Sequence, residues 1–152
     1  MSASSTPPRV EVADAAAFDW KVPRLLRPAT RAFAEALFHT DTGAPDPKRI
    51  DWLLDELDDY LACSGTRAQL VFQGAITALQ TLAPLSDGKP VPLTMLKPEA
   101  RAAAIEKFEE TSLGLAVLGA KAMLCLIWYE HPDVRADVGI DGVCLKSVEA
   151  GS

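Results

Sequence analysis

"DPKRIDWLLDELDDYL", residues 46–61, decides the fold class. Counting from Ile50, leucines follow at +3 (Leu53), +4 (Leu54), +7 (Leu57) and +11 (Leu61). That is the repeat of one side of an α-helix, not the alternation of a strand. Asp46 can accept a free amide at a helix start, and Pro47 has the fixed φ and missing N–H that suit the first helical position. The stretch therefore predicts a helix whose leucine side faces a core. Its other side carries Asp51, Asp55, Glu56, Asp58 and Asp59, which read as solvated or partner-facing surface rather than as a metal or acid–base site.

Upstream, Pro28 opens a predicted helix over Pro28–His39, with Phe33, Ala36 and Leu37 on one side, and Thr42-Gly43-Ala44-Pro45 ends it. Residues 1–27 read as an irregular arm punctuated by Pro7, Pro8 and Pro23. Trp20, Val22, Leu25 and Leu26 make it too apolar to float, so it is expected to lie along the body or along a partner.

Downstream, Ser64-Gly65-Thr66 breaks the pattern before a helix over Thr66–Leu82. Leu70, Val71, Phe72, Ile76, Leu79 and Leu82 make it apolar on several sides, which predicts substantial burial. "APLSDGKPVPLTMLKPE", residues 83–99, is a long proline-rich break whose last proline, Pro98, opens a helix with Ala104, Ile105 and Phe108 inward. A last helix covers about residues 112–130, and Glu109-Glu110-Thr111-Ser112 is either a turn before it or a continuation into it. No alternating strand pattern occurs. The expectation is an all-α, single-domain bundle of about five helices, with the 112–130 helix near its centre and a C-terminal Pro/Gly turn. Its parts are an arm at 1–27, a helical domain at 28–145 and a tail at 146–152.

With 15 Lys and Arg against 21 Asp and Glu, the chain has a net charge of −6. That is a poor match to nucleic acid or to an anionic membrane surface, both of which need clustered cations. Cys63, Cys125 and Cys144 are an odd number with no paired spacing, which points away from a disulfide framework or zinc site and toward a reducing compartment. The start of the chain shows no export signal, so the cytoplasm is the expected location. The apolar run Leu113–Tyr129 is interrupted by Gly114, Gly119 and Lys121 and reads as a buried core helix rather than a membrane span. The two glycines are expected to permit close packing in the core, and Lys121 either snorkels to the surface or pairs with an acid.

Candidate chemistry is thin. His39 and His131 are the only histidines, and neither stands in a spacing that a helical metal site uses. Glu130 and His131 are neighbours and point about 100° apart on a helix. Cys125 and His131 carry no visible partner for nucleophilic catalysis. What remains is an interaction module, and an aromatic pair at a helix end followed by a Pro/Gly turn makes a good docking patch.

One long stretch, "LTMLKPEARAAAIEKFEETSLGLAVLGAKAMLCLIWYEHPDVRADVGIDG" (93–142), resembles the helical accessory unit of glucose–methanol–choline (GMC) type flavin dehydrogenases. In that family a Leu-x-Pro-x-x-Arg helix leads into a long apolar helix that ends in an aromatic pair, an x-x-Pro-x-Val step and a Gly-Tyr-Asp-Gly-like turn. Leu96, Pro98 and Arg101 match the first motif; Trp128, Tyr129, Pro132 and Val134 match the second. Gly139, Ile140, Asp141 and Gly142 match the turn, with Ile140 where Tyr is common. Residues 29–61 look like the first part of the same unit. The unit occurs as a small subunit, as in gluconate 2-dehydrogenase, or as the N-terminal helical domain of long-chain alcohol oxidases. The resemblance implies a non-catalytic subunit that docks on a separate large chain in a hetero-oligomer. It places FAD in that flavoprotein partner and no cofactor in this chain. The implied partner-binding residues are Trp128, Tyr129, His131, Pro132 and Val134, with Gly139, Ile140, Asp141 and Gly142 in the turn.

Overall fold

The computed structural model describes residues 19–137. It is all-α, with five longer helices and two short ones in a single arrangement and no strand among the described residues. In chain order these are α1 (Arg27–Leu37), α2 (Pro47–Ser64), α3 (Thr66–Thr81), α4 (Ala83–Ser86), α5 (Pro98–Glu109), α6 (Gly114–Trp128) and α7 (Pro132–Asp137). A 3-10 turn at Leu93–Met95 lies between α4 and α5.

The predicted helix starts hold. The Lys48 amide donates to Asp46 Oδ1 at 3.0 Å, and Pro47 follows as the first helical residue. Ile50, Leu53, Leu54, Leu57 and Leu61 are all buried, as the repeat requires. Gly65 has φ +88°, a conformation costly for a residue with a side chain, and it is the single residue between the end of α2 and the start of α3.

α3, more than α6, is the hub, since it packs on α1, α2, α4 and α6. Phe72, Ala75, Ile76 and Leu79 point into the core, while Leu70 and Val71 face water, so the expected burial holds for one side only. The proline-rich break is more ordered than its composition suggests. It holds α4 and the 3-10 turn, and Arg101 closes it from α5. Arg101 Nε donates to Leu93 O (3.3 Å) and Nη2 to Thr94 O (3.4 Å) and Leu96 O (3.2 Å). Its Nη1 reaches Glu35 on α1 at 3.4 Å. Gln80 of α3 holds the same turn, donating to Thr94 Oγ1 (3.1 Å) and accepting from Thr94 N (3.3 Å).

Residues 110–113 form a turn, so α5 and α6 are separate helices. The turn is tight: a Cβ on Gly114 would lie 2.0 Å from Glu109 O, so only glycine fits there.

Two expectations need correction. Asp58 is not on the solvated side of α2 but buried, 5 % exposed. It accepts from Val22 N at 2.8 Å and from Arg27 Nη1 at 2.7 Å. Asp58 lies one turn from Leu54 and from Leu61, at the edge of the apolar side, and residues 22–27 close over it. The arm from Trp20 to Leu26 therefore lies along the body, with Val22 in the core and Leu25 in water. The second correction concerns Gly119: among the described residues a Cβ there would meet nothing within 4 Å, so this glycine serves no close packing between the described helices.

Candidate functional site

α6 was expected to be wrapped on every side, because a helix that is apolar all round normally is. Gly114, Val117, Ala120, Leu124, Ile127 and Trp128 do turn inward against α3, α2 and α5. The opposite side stays open. Leu115 is 81 % exposed, Leu126 63 %, Leu118 55 % and Tyr129 49 %. Ala122 is exposed between them. Residues at 115, 118/119, 122, 126 and 129 fall along one side of a helix at steps of three or four.

No charge interrupts this face. Lys121 is the one Lys, Arg, Asp or Glu within α6, and its Nζ is held by Glu109 Oε1 at 3.1 Å. It thus pairs with an acid, one of the two outcomes foreseen for it. Cys125 sits half-buried beside the face; burial pushes its thiol up, and Lys121 pulls weakly the other way. Acids mark both ends, with Glu110 exposed before α6 and Glu130 exposed after it. Contiguous apolar surface with a polar rim is the physical signature of a docking site.

The predicted docking edge, residues 128–134, splits between the inside and the outside. Trp128 is buried and stacks on Phe38, the residue that follows α1, with ring centroids 4.2 Å apart and planes 10° apart. Val134 is buried as well, so neither offers much surface to another chain. Tyr129 and Pro132 are exposed. His131 lies edge-on against Trp52, centroids 4.6 Å apart, and its Nδ1 accepts the Asp133 amide at 3.1 Å. Asp133 pairs with Arg49 across 3.8 Å. The Pro132–Val134 part of the expected turn is helical, belonging to α7. Gly139, Ile140, Asp141 and Gly142 lie outside the described residues.

Other groups are accounted for within the bundle. Arg27 bridges Asp55 and Asp58, and Arg31 pairs with Asp51 and, within α1, with Glu35, so Asp51, Asp55 and Asp58 of α2 fasten α1. A cavity of about 180 Å³ between α1, α5 and α6 is lined by Phe33, Leu37, Ile105 and the Glu109–Lys121 pair. Among the described residues no group of three His, Cys, Asp or Glu could hold a metal ion, and no helix is long and apolar enough to cross a membrane.

Leu115, Leu118 and Leu126 escaped the sequence reading because a largely apolar helix was read as a buried one. Gly119 was the available signal: a mid-helix glycine costs about 1 kcal/mol against alanine and calls for a reason. The chain matches no family profile, no curated protein and no solved structure.

Proposed function

We propose that this chain is a non-catalytic helical accessory subunit. It docks through the open face of α6 and the adjoining Tyr129–Pro132 edge on a separate FAD-dependent dehydrogenase of GMC type, acting on an alcohol, hydroxysteroid or sugar in the cytoplasm. The observation that carries the docking part is the uncharged apolar face from Leu115 to Tyr129, left open in a helix of a composition normally buried. The resemblance of residues 93–142 to the GMC accessory unit supplies the partner's class. In this reading the large subunit holds FAD and the substrate, and this chain stabilises it or shapes access to it.

The test is co-expression with a GMC-type flavoprotein large subunit from the same organism, followed by size-exclusion chromatography with light scattering and a turnover assay. A stable complex whose activity depends on this chain is the expected result. A large subunit that neither copurifies nor changes activity without this chain would sink the reading.

A further inference from the structure

We infer that His131 is a proton-operated cap on α7. Its neutral imidazole fastens the start of that helix and so fixes the Tyr129–Pro132 edge, and its protonation loosens both. The cap goes beyond the docking reading above; only its effect on partner affinity rests on that reading.

The chain bends at His131 and enters α7 with Pro132 as its first residue. A helix start leaves amides without carbonyl partners, and Pro132 has no N–H, so the Asp133 amide is the first that needs an acceptor. His131 Nδ1 provides it at 3.1 Å, two residues back, as a capping side chain does. A ring nitrogen accepts only while it carries no proton, and in the imidazolium both nitrogens are donors. Protonation therefore sets one N–H against another. It also puts a positive charge at a helix start, where the peptide dipoles disfavour it. Trp52 of α2 meets the ring edge-on, with centroids 4.6 Å apart, a contact that suits the neutral ring and the cation alike. Trp52 thus keeps the ring beside α7, and the proton on Nδ1 decides whether the cap exists.

The charges around the ring sharpen the change. Asp133 pairs with Arg49 of α2 across 3.8 Å, and exposed Glu130 precedes His131. Lys48 and Glu56 stand one turn before and after Trp52 on α2. An imidazolium is drawn to Glu130 and Asp133 and repelled by Arg49 and Lys48, so charging the ring pulls it off the amide and into competition for the Asp133 carboxylate. The edge itself runs between two buried anchors, Trp128 upstream and Val134 downstream. Loosening the start of α7 slackens the downstream anchor. Histidine is the side chain that ordinarily changes charge between about pH 5 and 8, a range in which most carboxylates stay ionised. The other histidine, His39, follows Phe38, whose ring stacks on Trp128, so its charge must be removed as a control.

The experiment follows wild type, His131→Asn, His131→Ala and His39→Gln by NMR from about pH 8 to about pH 5. Asparagine caps a helix start with an oxygen that takes no proton in this range, and alanine caps at no pH. In wild type the imidazole nitrogen signals should show a bare Nδ1 at the upper end. Exchange protection of the α7 amides, corrected for intrinsic rates, should fall about fivefold across the range. His39→Gln should follow wild type, His131→Asn should stay protected, and His131→Ala should be low throughout. A wild-type ring with its proton on Nδ1 at the upper end, or an equal loss of protection in His131→Asn, would overturn the inference. Affinity for the co-expressed flavoprotein large subunit should fall several-fold more in wild type than in His131→Asn between the two ends of the range. Equal falls would show that the cap does not govern the edge. A wild type that binds no large subunit even at the upper end would sink the docking reading, while the NMR result still decides the cap.

Discussion

Phe38 and Trp128 stack nearly parallel, 10° apart with centroids at 4.2 Å, and so tie the end of α1 to the end of α6. Trp128→Ala should cost about 3–5 kcal/mol in urea unfolding, because it removes a buried indole. A double-mutant cycle with Phe38→Ala should recover a coupling of about 0.5–1.5 kcal/mol for the ring pair. Coupling near zero would mean that the two rings act only through the area each buries.

Asp58 and Asp55 both accept from Arg27, yet only Asp58 is buried. Asp58→Ala leaves the Val22 amide without its acceptor and should cost about 1.5–3 kcal/mol. Asp55→Ala should cost under about 1 kcal/mol, as exposed pairs do. Equal losses in the two variants would show that the buried amide contributes nothing.

Two glycines should respond to alanine in opposite directions. Gly114→Ala drives a methyl against Glu109 O and should destabilise by about 1–3 kcal/mol. Gly74→Ala, mid-helix with open space above it, should stabilise by about 1 kcal/mol. Matched chemical melts of the two variants decide this, and a loss at Gly74 would contradict the geometry.

Burial raises the Cys125 thiol, so less of it is thiolate at any given pH. Site-resolved alkylation followed by mass spectrometry should therefore find Cys125 slower than the exposed Cys63, and slower still once a partner covers α6. The folded chain also holds this proton more tightly than the unfolded one. Its contribution to stability is complete below the ordinary thiol range and is lost as pH climbs through the raised value.

Most of the helices were legible because their signals are local. Asp46-Pro47, the Ile50–Leu61 repeat and Pro98 each act within a few residues, and the structure places α2 and α5 where those signals do. Asp58 was not legible, since its burial depends on Val22 and Arg27, 36 and 31 residues away in sequence. The open face of α6 was hidden for another reason. Hydrophobic composition tells how much surface wants cover, not whether the same chain has a helix to provide it, and here α3, α2 and α5 cover one side only. Of the predicted edge, Tyr129 and Pro132 lie outward as a docking patch requires, while Trp128 obeys the stronger pull of Phe38.

Arg101 has a consequence for how this bundle comes apart. Three carbonyls of the 93–96 segment converge on one guanidinium that belongs to the next helix, and a lysine, with its donors on a single nitrogen, could not span them as Nε and Nη2 do. The 3-10 turn and the start of α5 should therefore melt as one cooperative unit. Amide exchange at Met95 and Leu96 should keep pace with the body of α5, and Arg101→Lys should release both amides early.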